Sequence, residues 1–303
     1  MQHIWRPDME LLVQQTINAV SLGGVYAMLA LGLAIVFSIV RLINFAHGEI
    51  MTFGGYGIFL SLAFGMPPVV ALVVGLGAAV FIALAMERAA FRAMRGADVV
   101  SLLITSFALS EILKVLFQNG ISARPVPISL PASWSGTYQL SNITIGVIPT
   151  ISVIVSLLSL AGLTYILRRT TVGIAMRAAA EDIEMLRLLG VRANRIVATS
   201  FALSGLLAGI AAVIWTAQRG SVDPLMGFFP VLKAFIATVL GGLGSLSGAV
   251  VGGFAVGILE VLTQAFLPDS LAPYRDAIVL ALVIAALLWR PDGLIPPTRS
   301  DRS

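Results

Sequence analysis

From Leu11 to Val40 the chain carries no charged residue. As one helix those residues would rise about 45 Å, against a hydrocarbon core of about 30 Å. The segment therefore either tilts strongly or breaks near Gly23-Gly24. A second uncharged stretch, Ile50 to Met86, is split by Pro67-Pro68 into spans at about 50–65 and 69–86, because proline ends a helix and suits a tight turn. Further apolar runs lie at about 99–118, 145–167, 196–217, 231–243, 246–267 and 275–289. The pattern predicts an all-α, polytopic membrane bundle of eight or nine transmembrane helices, one domain over 1–303. The runs are continuous rather than alternating and too long for barrel strands.

Composition agrees and narrows the class. The 303 residues are 58% hydrophobic and only 11% charged, with a mean hydropathy of +0.98. A soluble domain carries about 25% charged residues, so soluble, fibrous and disordered proteins are excluded. No cysteine is present, which excludes disulfides, thiolate metal sites and thiol catalysis. His3 and His47 are the only histidines, too few for a His-rich metal site. Residues 1–15 hold Asp8 and Glu10 and lack a basic start, so a cleavable signal is not expected.

Arginine sets the topology. Arg88, Arg92 and Arg95 share one short loop, and Arg168, Arg169, Arg177, Arg187, Arg192 and Arg195 share another. Arg290, Arg299 and Arg302 lie in the tail. Two spans separate the first loop from the second and four separate the second from the tail, so all three fall on one side. The positive-inside rule makes that side, and the C-terminus, cytoplasmic. The net charge of +4 is thus a topology signal and not a nucleic-acid footprint. The loops at 119–144 and 218–230 then face outward, with Trp134 and Tyr138 suited to the interface. Nine spans place the N-terminus outside, and a break in the first segment would place it inside. No strong internal repeat is visible, although the Gly-rich stretches near 23–57 and 241–257 could mark corresponding halves.

The cytoplasmic loop 168–195 is too rich in helix formers for a connector. Ala175 to Leu189 reads as one helix, with Thr171 or Gly173 as its start and Gly190 as its C-terminal cap. It either lies on the inner leaflet or docks a soluble partner.

A charge near the bilayer centre costs about 2.5–3.5 kcal/mol on insertion scales, so each needs a partner or a wet cavity. Glu111 and Lys114, three apart, either pair locally near the outer end of their span or meet another helix along a path. Glu260 lacks a near partner in sequence and is expected to meet Lys233 or Arg219. Asn44, His47 and Glu49 cluster after Arg41. They either cap the next helix or line an inner vestibule. Gly244, Gly248 and Gly252, spaced by four, predict a flat helix face for close packing, with a broken helix lining a path as the alternative. No catalytic constellation is present, so an enzyme is not expected.

These residues carry a family resemblance. The loop with Gly173, Arg177-Ala178, Glu181-Asp182 and Gly190 resembles the coupling segment of ATP-binding-cassette importer permeases. The opening, from Asn18-Ala19 through Gly23-Gly24, the run Arg41-Leu-Ile-Asn-Phe-Ala-His-Gly-Glu49 and Gly54-Gly-Tyr56, resembles the shorter permease of high-affinity branched-chain amino acid importers. The stretch Gly241 to Gly248 with Gly252-Gly253 resembles the late Gly-rich motif of that family. Together the likeness covers about residues 12–295, and the Asn44 to Glu49 stretch is shared with amide and urea importers.

The resemblance implies a permease of a bacterial inner-membrane importer working by alternating access. It implies a second homologous permease, two cytoplasmic ATP-binding subunits and an extracytoplasmic solute-binding protein as partners. No GxxxxGK[ST] sequence is present, so ATP would be bound by the partner subunits and no cofactor by this chain. Ala178, Ala179 and Ala180 would allow close approach to the ATPase, Glu181 and Asp182 would meet its basic residues, and Leu189-Gly190 would end the coupling helix. A self-contained channel or secondary transporter is the competing class, with Glu111 and Glu260 as its ion-coupling carboxylates.

Overall fold

The computed structural model describes residues 9–128, 136–140 and 143–295. Trp134, Arg299 and Arg302 lie outside them. Helices occupy all nine predicted apolar runs: α1 (Met9–Val40), α2 (His47–Ala63), α3 (Pro68–Met86), α4 (Val99–Gly120), α5 (Val147–Arg169), α8 (Ala193–Arg219), α9 (Phe228–Gly241), α10 (Leu246–Phe266) and α11 (Arg275–Trp289). Between α5 and α8 lie two short helices, α6 (Thr171–Glu181) and α7 (Ile183–Leu188). Seven of the apolar helices are long and apolar enough to cross a membrane, α11 together with the 3-10 turn Asp269–Tyr274 before it, whereas α2 and α9 have 17 and 14 residues. At 1.5 Å per residue α2 and α9 reach only about 25 and 21 Å, short of a full crossing.

α1 runs unbroken for 32 residues. Gly23 and Gly24 do not kink it; they admit Phe254 of α10 and Ser156 of α5 against its backbone. It ends at Arg41, whose φ of 56° is left-handed. Arg41 is the only non-glycine residue in that region among those described.

Two three-helix units organise the bundle. In the first, α2 packs back on α3; in the second, α9 packs back on α10. The two units run in opposite directions. Ser21 of α1 faces Gln218 of α8, while Gly32 faces Ser204, so the two leading helices are antiparallel. Each leading helix packs on the other unit's third helix through small residues. A Cβ at Gly253 or Gly257 of α10 would meet the α1 backbone at Ala27 or Gly23, and one at Gly205 or Gly209 of α8 would meet α3 at Ala83 or Ala79. Close approach of this kind is how membrane helices gain packing without a hydrophobic drive. The weak glycine signal at 23–57 and 241–257 thus belongs to packing, and the repeat is architectural, pairing α1–α3 with α8–α10.

The predicted glycine face is partly right. Gly248 and Gly252 press on Gly241 and Ala237 of α9. Gly244 is not on the helix: it sits in the α9–α10 turn with a φ of +89°, and a Cβ there would meet nothing. Ser245 accepts the Gly248 N–H at 3.0 Å, which starts α10 at Leu246 and leaves Gly244 before it.

The arginine-bearing loops gather at one end. Arg95 donates to Asn194 at the start of α8, and the backbone of 294–295 bonds to Leu240 and Gly241 at 2.8 and 3.0 Å. Short strands stand at the other end. β1 (Val126–Pro127) pairs antiparallel with β4 (Ser221–Val222), and β2 (Thr137–Leu140) pairs with β3 (Ile143–Gly146). The chain is therefore not purely helical, but its strands lie outside the spans, where turn-forming residues break the apolar pattern.

Candidate functional site

α2 and α9 both begin inside the bundle, and their first residues touch. A Cβ at Gly227 would lie 1.9 Å from the Gly48 carbonyl oxygen, so only glycine permits this contact. The chain reaches α2 through Leu42–Ala46, which is not helical. Phe45 in that stretch stacks on Phe107 of α4 at 4.4 Å and leans on Phe235 of α9 at 5.3 Å. Its N–H is held by the Ser106 hydroxyl at 3.3 Å. Non-helical backbone at membrane depth is tolerated only inside protein or beside a cavity. Paired discontinuous helices in two inverted units are the arrangement in which transporters build solute sites.

The polar run Asn44, His47, Glu49 lies at this junction, and all three residues are buried. None caps α2, whose N-terminus has no side-chain cap; the capping alternative is thereby removed. His47 Nδ1 lies 3.3 Å from the Ser204 hydroxyl of α8, and Glu49 accepts from Ser110 of α4 at 3.1 Å. Asn44 Oδ1, His47 Nε2 and Glu49 Oε2 have no hydrogen-bond partner. Three unmatched polar atoms within six residues are costly in a packed bundle and need an explanation. No group that could hold a metal occurs among the described residues.

Lys114 closes one flank. Its ammonium lies 4.4 Å above the Phe228 ring, the first residue of α9. It bonds Glu111 at 2.7 Å, the local pair that spacing predicts. Glu111 is the thirteenth of 22 residues in α4, so the pair sits at mid-helix rather than near the outer end.

The second predicted charge finds a partner across helices. Glu260 of α10 bonds Lys233 of α9 at 2.6 Å and accepts the Tyr26 hydroxyl of α1 at 2.8 Å. Arg219, the alternative partner, stacks on Trp215 instead. Tyr26 lies 234 residues away in sequence, and no local pattern pointed to it.

The arginine-bearing end holds the predicted coupling loop. The single helix expected over 175–189 is two helices, because Asp182 breaks it. Its carboxylate accepts the N–H groups of Glu184 and Met185 at 2.8 and 2.9 Å, an N-cap that competes with helix continuation. α6 begins at Thr171, with Thr170 accepting from Gly173 N–H at 3.2 Å. Gly190 takes a φ of +80° and ends α7 as expected. Gly173 presses on the carbonyls of Ile166 and Leu167, and the Arg177 guanidinium donates to Leu167. Ala179 is buried against the bundle, and Ala178 and Ala180 are half-buried, so these alanines seat the helix on its own chain. Glu181 and Asp182 are exposed. The exposed apolar groups here are Val172, Ile174, Met185, Leu188 and Leu189, the last two 81% and 74% exposed. Their signal was in the sequence, as leucines in a loop outside the apolar runs.

Beside this loop, Glu87 is buried in a single π-turn (Glu87–Phe91). Arg92 bonds it at 2.9 Å, and Arg95 joins it as well. Burial lowers the Arg95 guanidinium from its ordinary range, and the Glu87 charge opposes that. Sequence reading passed over Glu87, since an acid beside arginines at a span end looks like solvated surface.

Residues 15–287 match the family described as branched-chain amino acid transport system permease component. The chain is 33% identical to BraD of Pseudomonas aeruginosa, a high-affinity branched-chain amino acid transport system permease protein, over 95% of this chain and 97% of that one. It is 34% identical to the LivH protein of Escherichia coli K12, of the same description, over 93% and 95%. The LivM permease protein of E. coli K12 is 27% identical, over 94% of this chain and 71% of LivM.

Proposed function

The chain belongs to the branched-chain amino acid transport system permease family, and on that premise we propose that it is one membrane-spanning half of an ATP-driven importer for branched-chain amino acids. Its other half is a second, homologous permease, as LivM is homologous to this chain. Two cytoplasmic ATPases and an external solute-binding protein complete the machine in the bacterial inner membrane. The arginine-bearing end, tail included, is the cytoplasmic one.

One observation carries this reading: the ledge formed by α6 and α7. Both helices are anchored by capping and by packing on α5 and α8. They nonetheless present Ile174, Met185, Leu188 and Leu189 outward. An anchored apolar ledge outside the bilayer is the kind of surface a soluble partner covers. A channel or secondary transporter has no use for it. ATP closure of the two ATPases draws the ledges together. The rigid α1–α10 and α3–α8 pairs carry that movement to the junction of α2 and α9, which opens alternately outward and inward. Glu181, Asp182 and Arg187 supply charge complementarity at the ledge rim.

The test is co-expression of this chain with its genomic neighbours. The expected result is one detergent-stable complex of two permeases and two ATPases, whose ATP hydrolysis rises with solute-loaded binding protein. A chain that purifies alone and moves solute without ATP would contradict the proposal.

A further inference from the structure

α4 carries a feature that its neighbours lack. Its outward face reads Val100, Ile104, Phe107, Glu111, Val115, with exposed Ile112 and Leu116 beside it. The Glu111 side chain is 66% exposed, while Lys114 is 8% exposed. Glu111 stands about 18 Å along a helix of about 33 Å, hence near the bilayer centre. At comparable depth the outward faces of α3 and α5 carry Val73 and Val74, and Leu157 and Leu158, as lipid requires. Among the described residues Glu111 is the only exposed charge in the middle of a span. Intramembrane charges face protein or a water-filled cavity, not lipid. The α4 face is therefore not a lipid face.

The groups around the pair are ordered by chemistry. Lys114 leans from Glu111 toward the junction, over Phe228 at the positive end of α9. Ser110 and Glu49 lie behind it. One turn before Glu111, Phe107 is 41% exposed and is stacked on Phe45. A carboxylate, an ammonium and an aromatic platform thus stand on one face within two turns.

Resting on the function proposed above, we propose that α4 lines a wet path closed on its far side by the second permease, and that Glu111 and Lys114 read the charged ends of the amino acid there. The solute's ammonium goes to Glu111. Its carboxylate goes to Lys114 and the N-terminal end of α9. Its branched aliphatic side chain lies on Phe107. The resting Glu111–Lys114 pair is exchanged for two solute pairs, so the site is charge-neutral both empty and filled, and neither charge is left unpaired in the membrane. A solute lacking either charged end would leave one partner unmatched.

The chain has no cysteine, which permits a direct test in vesicles holding the full complex. Glu111→Cys, and Phe107→Cys as a second probe should the first fail to assemble, are exposed to a charged methanethiosulfonate reagent. Val73→Cys on α3 is the lipid-facing control. The expected result is modification of the α4 cysteine at least about tenfold faster than the control. Equal, slow rates would overturn the wet path. In parallel, Glu111→Gln is expected to lower leucine uptake at sub-saturating concentration, counted per assembled complex, by about tenfold, and Glu111→Asp to restore most of it. Wild-type uptake by Glu111→Gln would overturn the recognition. If the wild-type complex itself moves no leucine, the function proposed above fails, and the labelling still decides whether the α4 face is wet.

Discussion

Glu260 and Lys233 offer the clearest energetic test of how this bundle holds its charges. Their side chains are 14% and 18% exposed and 2.6 Å apart, and Tyr26 adds a bond at 2.8 Å. Glu260→Leu leaves the Lys233 ammonium with Asp276, 3.2 Å away and 73% exposed, and the Tyr26 ring 5.8 Å away, partners worth little. Breaking a buried pair costs about 3–5 kcal/mol, and incomplete burial puts this one at about 2–3 kcal/mol. The lost Tyr26 bond adds about 0.6–1 kcal/mol, for about 3 kcal/mol in all. Lys233→Met leaves Glu260 its Tyr26 bond and costs about 2 kcal/mol. The double variant removes both charges. Because replacing a buried pair by apolar groups is often neutral, it should cost only about 1 kcal/mol, about 4 kcal/mol below the sum of the singles. The assay is the temperature at which purified permease loses its monodisperse size-exclusion peak. Both singles should fall below wild type and the double should recover toward it. A double variant less stable than either single would refute the reasoning.

Three further outcomes follow from the geometry. Leu188→Asp, at a fully outward position of the ledge, should leave a folded permease that no longer co-purifies with ATPase; retained association would remove α7 from the interface. Ala179→Trp is expected to lower yield and thermal stability in detergent without any ATPase present, because Ala179 faces its own bundle. Gly253→Val should abolish monodisperse expression, since even a Cβ lies 2.3 Å from the α1 backbone, whereas Gly162→Val, with nothing within 4 Å, should express normally; comparing the two size-exclusion profiles checks this.

The spans were legible because each is a long apolar run with two charges at most, bounded by arginine, proline or glycine, and those signals are local. The Glu111–Lys114 pair was legible for the same reason, as a spacing on one helix. What stayed hidden is non-local. The antiparallel pairing of α1–α3 with α8–α10 leaves no repeat in the sequence, since lipid accepts almost any apolar side chain. The Tyr26–Glu260 bond and the Ser204–His47 contact join helices far apart along the chain. The break at Asp182 is a different case: an acid inside an Ala- and Leu-rich helix reads as solvated, yet its short carboxylate prefers the backbone N–H groups two and three residues on. Ala179 was misplaced because small residues suit a partner's groove and the chain's own packing equally well.

The central claim is that this chain moves branched-chain amino acids only as part of an ATP-driven complex. The measurement that tests it most directly is uptake of radiolabelled leucine into proteoliposomes holding this chain, the second permease and the ATPases. Solute-binding protein is supplied outside and ATP inside. The account predicts accumulation against a gradient that requires both ATP and the binding protein. Leucine equilibration through this chain alone, indifferent to ATP, would contradict it.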